Sequence, residues 1–85
     1  MPEISRFYGI IIKMYFDDHN PPHIHIKYGE YDAIMYIQDC IIDGKIPSKV
    51  VKKVEEWVNL HNEQLLGHWE LAQKGMKLEK IEPLK

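Results

Sequence analysis

An 85-residue chain can build only a small core, because a domain of this length buries about 60–65% of the surface that its unfolded form exposes. Hydrophobic residues make up 45% and charged residues 28% of the sequence, which excludes a wholly disordered chain. The single cysteine, Cys40, cannot form an intrachain disulfide, so we expect a reducing compartment. One cytoplasmic domain spanning residues 1–85 is therefore expected.

The charges are divided unevenly between the two halves of the chain. Residues 1–44 carry three basic and seven acidic side chains, whereas residues 45–85 carry eight lysines and six glutamates. The net charge of −2 is too weak to steer the chain onto nucleic acid, so a nucleic-acid partner would require a local basic patch. The apolar run at residues 8–12 is far shorter than the roughly 20 residues that span a bilayer. We expect no membrane partner and no signal peptide.

The first half of the chain predicts β-strands. In residues 7–16, alternation places four apolar side chains on one face of an extended segment: Ile10, Ile12, Met14 and Phe16. The other face is also largely apolar, which favours a strand well inside the sheet. Residues 17–22 read Asp-Asp-His-Asn-Pro-Pro and end this strand, because the prolines fix φ and remove backbone donors.

A second predicted strand follows the prolines, with apolar and polar residues in alternation. The side chains predicted to be buried are Ile24, Ile26 and Tyr28, and those predicted to lie on the opposite, solvent-facing side are His23, His25 and Lys27. A short turn at residues 29–30 precedes a third strand at residues 31–37, and a weaker fourth strand at residues 40–42 ends at the turn dipeptide Asp43-Gly44. The pattern predicts an antiparallel meander sheet of three to four strands.

The second half of the chain changes to helical periodicity. Apolar residues recur at helical spacing from Val50 to Ala72, Pro47 suits a first helical turn, and Gly75 is a natural stop. One helix over residues 47–74 would be about 42 Å long, so we favour a break near residues 59–62, with one long helix as the alternative. Residues 76–85 are predicted to form an extended C-terminal tail. These elements indicate an α+β fold.

Side chains able to bind a metal or transfer a proton are most concentrated in residues 19–25, which hold three of the five histidines. His23 and His25 leave the same face of a strand with backbones about 6.6 Å apart, close enough to share one ion. His19 could supply a third metal ligand, and Asp17 or Asp18 a fourth. Three histidines with an open position are the arrangement in which a catalytic zinc activates water.

Three interpretations of this cluster stay open. The histidines either fasten a proline turn by hydrogen bonds, or ligate a divalent metal such as zinc, or act as metal-free acid–base or phosphate-binding groups. The candidate catalytic residues are Arg6, which suits bidentate phosphate contacts, and His19, His23 and His25. The candidate residues for an anionic substrate are Lys27, Lys45 and Lys49. A run of lysines is, however, more often a solvated face.

Several motifs of the chain resemble those of a known family. They comprise residues 4–9, residues 14–25, residues 27–29, the set Trp57, His61, Leu65 and Trp69, and residues 80–83. On these motifs the chain is similar to the bacterial family of unknown function numbered 4160. The chain departs from the family pattern at Met35-Tyr36 and at Gly67-His68. The departure at Gly67-His68 weakens any inference about the surface of the second helix.

The resemblance implies no established activity, but it does imply a partner. In the family that the chain resembles, the gene often lies beside a gene of a second small family of unknown function, numbered 2442. This arrangement is similar to toxin–antitoxin modules. We therefore expect a small cytoplasmic protein that acts through a protein partner, the product of an adjacent gene. The alternatives are a metal-dependent or acid–base nuclease or hydrolase centred on His19, His23 and His25, and an RNA-binding module. A homo-oligomer is also compatible with the sequence.

Overall fold

The computed structural model describes residues 3–16 and 18–85 as an antiparallel sheet followed by two helices. The elements are β1 (Glu3–Phe7), β2 (Ile10–Lys13), β3 (His23–Tyr28), β4 (Tyr31–Tyr36), β5 (Ile42–Gly44), α1 (Ser48–Leu60) and α2 (Asn62–Gln73). The strands lie in the order β1-β2-β3-β4-β5, and each neighbouring pair is antiparallel. The predicted α+β class and meander are confirmed, with a fifth strand beyond the three to four expected.

The additional strand is β1, which lies almost entirely before the segment 7–16 that the sequence pattern predicted as the first strand, and a turn inside that segment joins β1 to β2. Two residues, Tyr8 and Gly9, connect β1 to β2, and both have positive φ, 51° and 75°. This is the backbone of a type I′ hairpin turn, which ordinarily takes Asn, Asp or Gly in its first position. A tyrosine gives no turn signal there, so the pattern missed the hairpin. Phe16, which alternation placed on the same face as Ile10, Ile12 and Met14, is 44% exposed because β2 ends at Lys13.

The last strand is shifted relative to its prediction. Alternation placed it at residues 40–42 with Asp43-Gly44 as a turn, whereas β5 is Ile42–Gly44 and Cys40 takes φ 60° in the preceding turn. Gly44 pairs with Ala33 of β4, and a Cβ atom on Gly44 would lie 3.0 Å from the Ala33 Cα atom. The glycine is therefore required by the close approach of two strands.

His61 separates the two helices. Its φ and ψ of −118° and 24° lie outside the helical range, so the predicted break within residues 59–62 is confirmed. The longest dimension of the molecule is 33 Å, which is shorter than the roughly 42 Å of an unbroken helix. In the part of the chain that the structure describes, neither helix is long and apolar enough to cross a membrane.

The helices pack against the apolar side chains of the sheet and form one core. Its largest fully buried side chains are Ile4, Ile10, Ile12, Met14, Ile24, Ile26, Met35, Ile37, Val54, Trp57, Val58 and Leu65. The opposite face of the sheet is only partly buried, and Lys13, His25 and Ile34 lie side by side on it across β2, β3 and β4. That face is free to carry a site because the core does not depend on it.

The C-terminal residues 76–85 form neither helix nor strand, yet they are attached to the body of the protein. The hydrogen bonds that attach them include Ile81 N to Ile4 O, Ser5 Oγ to Ile81 O, Trp57 Nε1 to Glu82 O, and a bond joining His68 Nε2 and Glu79 O. The side chain of Ile81 is buried in the core. The bond to Ile4 also occupies a backbone group at the outer edge of β1, which would otherwise be open to another strand.

Candidate metal centre

The histidine–proline segment converges on one carboxylate oxygen. The Nε2 atoms of His23 and His25 lie 2.9 Å and 3.1 Å from the same Oδ2 atom of Asp18. One ligand atom from each of these three residues lies within 4.8 Å of the other two. Strand alternation puts both imidazoles on one face of β3, and the loop before β3 places Asp18 beside them.

The contacts of His23 require one positive charge, either a proton or a cation, between its ring and Asp18. Its Nδ1 atom lies 2.8 Å from the carbonyl oxygen of Pro21, which can only accept, so Nδ1 carries the proton of a neutral ring. Nε2 then faces a carboxylate oxygen of Asp18, which is a second acceptor. A neutral imidazole has only one N–H, so either a second proton or a cation must lie between His23 and Asp18.

A divalent cation fits the three side chains. Tetrahedral zinc with ligands at about 2.1 Å separates neighbouring ligand atoms by about 3.4 Å, only a few tenths of an ångström more than the Nε2 to Oδ2 distances of 2.9 Å and 3.1 Å. The Pro21 carbonyl already accepts the other N–H of His23, as backbone carbonyls do for metal-binding histidines. Two histidines and one carboxylate also leave one coordination position open, as catalytic zinc requires.

Asp18 is held as an anion. Burial by itself would raise the pKa of its carboxyl group, but the hydrogen bond from His25, the backbone N–H of His19 and the charge of His23 together bring that pKa below its ordinary value. The His19 N–H lies 2.9 Å from the Oδ1 atom, which leaves Oδ2 to the two imidazoles. The ionised carboxylate is the form that a metal ligand must have.

Helix α2 positions the loop that carries Asp18. Gln73 Nε2 donates to the main-chain oxygen of Asp18 at 2.8 Å, and Trp69 Nε1 donates to Asn20 Oδ1 at 3.3 Å. The Trp69 ring centroid lies 5.2 Å from that of His23. The sequence pattern presented His23 to solvent, and this was wrong because α2 covers the ring. Neither Gln73 nor the packing of Trp69 gave a signal in the sequence, since both act on residues far away along the chain.

An open cleft of about 290 Å³ adjoins His25. It is lined by Lys13, Tyr15, His25, Ile26, Lys27, Asp32, Ala33, Ile34 and Asp43. The side chain of His25 is 30% exposed, and the Tyr15 ring packs edge-on against it with centroids 4.3 Å apart. Lys13 on β2 makes one end of the cleft cationic, whereas Asp43 on β5 makes the other end anionic. A small substrate group therefore has room beside the exposed edge of His25.

The structure brings together only some of the predicted site residues. His19 was a predicted ligand, but its side chain is 88% exposed and its Nδ1 atom meets the other oxygen of Asp18, at 3.2 Å. Asp18, which the sequence offered as a fourth ligand, is the third member of the group instead of His19. The alternative, Asp17, lies outside the described residues. Lys27 does line the cleft, where its Nζ atom lies 3.5 Å from Asp32 Oδ2.

Arg6, Lys45 and Lys49 lie away from the cluster. Arg6 is on β1, two strands from His25, and its guanidinium group donates to both carboxylate oxygens of Glu3, at 2.8 Å and 3.2 Å. Lys45 is exposed between β5 and α1. Lys49 lies in α1 and lines a different cavity. The structure therefore gives these three residues no contact with the candidate metal ligands.

Comparison with known sequences identifies a family for the chain. Residues 9–70 match the family described as Domain of unknown function (DUF4160). This span contains all three members of the metal-site group, whereas the motif at residues 80–83 and all but the last residue of the motif at residues 4–9 lie outside it. No curated protein and no solved structure matches the chain. Because the matching span covers more than half of its length, the chain belongs to the DUF4160 family.

Proposed function

We propose that the protein is a divalent-metal-dependent hydrolase whose metal is held by Asp18, His23 and His25. The observation that carries this proposal is the shared contact of both Nε2 atoms with Asp18 Oδ2, while His23 Nδ1 is already engaged by Pro21. One cation at this point would satisfy all three side chains, and it would remove the need for a second proton on a buried imidazole.

The buried residues and the cleft residues of the site have different roles in the proposed hydrolysis. A bound divalent cation would act as a Lewis acid toward an oxygen of the substrate. Asp18 and His23 hold the position, and His25 forms the wall between this position and the cleft. Lys13, at the cationic end of the cleft, would bind an anionic group of the substrate. A phosphate ester is the substrate class that this combination favours.

Metal analysis of protein prepared without a histidine tag tests the site. We expect roughly one equivalent of zinc, or of iron or manganese, in the wild-type protein after reconstitution and dialysis. Asp18→Asn and His23→Gln should lose it, whereas His19→Ala should retain it because the His19 side chain is exposed and outside the group. A wild-type content below about a tenth of an equivalent for all three metals would overturn the metal site.

Hydrolysis is tested with model esters on the metal-loaded protein. We expect metal-dependent cleavage of bis-p-nitrophenyl phosphate, lost on treatment with a chelator and in Asp18→Asn. Lys13→Gln should raise KM with little change in kcat, because Lys13 binds the substrate without holding the metal. Stoichiometric metal without cleavage of this diester or of p-nitrophenyl acetate would leave a structural metal site and refute the hydrolase.

A second candidate function is binding to a protein partner. Two large apolar side chains, Ile41 and Leu60, are 58% and 66% exposed. Their chain neighbours Cys40 and Asn59 contact each other, with Sγ 3.8 Å from Oδ1, so both apolar groups belong to one region of the surface. Adjoining exposed apolar groups favour an interaction surface. The resemblance to the family supports a partner encoded by the adjacent gene, in a toxin–antitoxin-like pair.

Co-expression with the adjacent gene product tests this second function. We expect one co-eluting complex at low salt, which Leu60→Lys disrupts and Met76→Lys does not. Met76 is the matched control because it is also a largely exposed apolar residue, 52%, but lies in the C-terminal tail. Independent elution of the two wild-type proteins would contradict a stable pair.

A further inference from the structure

A second, smaller cavity lies where the hairpin turn between β1 and β2 meets α1. It has a volume of about 160 Å³ and is lined by Tyr8, Ile10, Tyr28, Lys49, Val50 and Lys53. Two lysines and no carboxylate are among these residues, although the chain as a whole has a net charge of −2. We propose that this cavity binds one nucleotide unit of a single-stranded nucleic acid, with the phosphate at the two lysines and the base against Tyr8.

Tyr8 lines the cavity and is largely exposed. The residue is 54% exposed, so burial does not account for an aromatic side chain in a turn position with φ 51°. The Phe7 ring meets it edge-on with centroids 6.4 Å apart, and Lys53 Nζ lies 4.5 Å from its centroid. These two contacts orient the ring. An exposed, oriented aromatic ring is what base stacking requires in sequence-tolerant binding of single strands.

Lys49 and Lys53 supply the anion-binding half of the site. They are four residues apart in α1, so they lie on the same face of the helix and repel each other. Within residues 3–16 and 18–85, no salt bridge engages either lysine. The first turn of α1 also contains no acidic residue. A phosphate between the two ammonium groups would offset their repulsion, and phosphate contacts of this kind are independent of sequence.

The cavity is separate from the metal centre. Tyr28 ends β3, whereas His23 begins it, and six residues of strand span about 17 Å between them. The buried apolar side chains of β3 face the helices, and His25 faces the other way. Nucleic-acid binding here therefore does not depend on the proposed hydrolase, and it can be measured with all metal removed.

Fluorescence anisotropy with labelled six-nucleotide oligouridylate and oligodeoxyuridylate, in the presence of a chelator, tests the proposal. We expect binding that weakens with salt, with a slope of log K against log salt of about −1.4 for two phosphate contacts. The double variant Lys49→Gln/Lys53→Gln should lower the affinity about tenfold and flatten this slope. Lys74→Gln/Lys77→Gln is the matched control, since it removes the same charge at two exposed lysines outside the cavity.

Tyr8→Asn tests the stacking half of the site without damaging the fold. Asparagine favours positive φ, so the turn should remain intact while the affinity falls about tenfold. Phe16→Leu, at an exposed aromatic residue elsewhere, should keep wild-type affinity. Tighter binding of the ribose oligomer would assign RNA, and equal binding would assign any single strand. The proposal is overturned by equal losses in both lysine double variants, by wild-type affinity in Tyr8→Asn, or by no binding at low salt.

Discussion

The side-chain amide of Gln73 donates a hydrogen bond to the main-chain carbonyl of Asp18, 2.8 Å away, although 55 positions separate the two residues. This bond joins the last turn of α2 to the loop that supplies the carboxylate of the candidate metal centre. The position of Asp18 relative to His23 and His25 is therefore set in part by a residue that ligates nothing.

Gln73→Ala is expected to weaken zinc binding about tenfold, because the loop loses a bond that orients Asp18 while every ligand atom remains. Competition titration against a chromogenic chelator measures the change. Gln64→Ala is the matched control, since Gln64 is an exposed glutamine of the same helix. Equal zinc affinity in both variants would show that Gln73 does not position the site.

His68→Ala is expected to lower the free energy of unfolding by about 1–3 kcal/mol. The ring nitrogens of the buried His68 lie 3.0 Å from the carbonyl oxygen of Gln64 and 2.8 Å from that of Glu79, so the substitution leaves a tail carbonyl without its partner. Urea denaturation gives the loss, and faster hydrogen exchange of the Ile81 amide should show the tail loosening. His19→Ala, at an exposed histidine, should change neither quantity, and a comparable loss there would contradict the role of His68.

Two glycine substitutions are expected to have opposite signs. Gly44 has φ 118°, and an added Cβ atom would lie 3.0 Å from both Ala33 Cα and Asp32 O, so Gly44→Ala should lower the free energy of unfolding by roughly 1–3 kcal/mol. Gly67 lies inside α2 with nothing within 4 Å of the added atom, so Gly67→Ala should raise it by about 0.5–1 kcal/mol. Urea denaturation measures both, and a shift of the same sign would refute this account.

The Cys40 thiol is expected to react slowly. Burial raises its pKa first, and the carboxylates of Glu55 and Asp39 raise it further, so the thiolate fraction at neutral pH is smaller than in an unfolded chain. The rate of modification by a disulfide reagent, with and without denaturant, measures this difference. If the folded protein reacts as fast as the denatured chain, folding does not raise the pKa of Cys40.

The same shift predicts a pH dependence of stability. Because folding raises the pKa of Cys40, the folded state holds this proton more tightly than the unfolded state. The stabilisation is complete below the ordinary thiol pKa and is lost as pH rises through the raised one. The free energy of unfolding of wild type minus that of Cys40→Ser, measured by urea denaturation, should therefore fall from neutral to high pH, and a constant difference would exclude the linkage.

The repeating parts of the fold were predictable because they depend on neighbours in the chain. Alternation at Ile24 and Ile26 identified the buried face of β3, and helical spacing from Val50 to Ala72 identified the two helices. The hairpin at Tyr8 was not predictable, because its turn contains an aromatic residue that ordinarily favours strands. The position of β5 was mispredicted for the opposite reason, since Gly44, a residue type typical of turns, lies in a strand and allows its close pairing with β4.

The sequence alone determined that His23 and His25 share one face, because the two-residue period of a strand is a property of the extended backbone. Only the tertiary structure decided that Asp18 joins them, that His19 stays outside and that His23 is buried. Those outcomes depend on hydrogen bonds from α2 across 49 and 55 positions, made by Trp69 and Gln73. The spacing of residues along the chain does not reveal such contacts, because they form only when the helix packs against the loop.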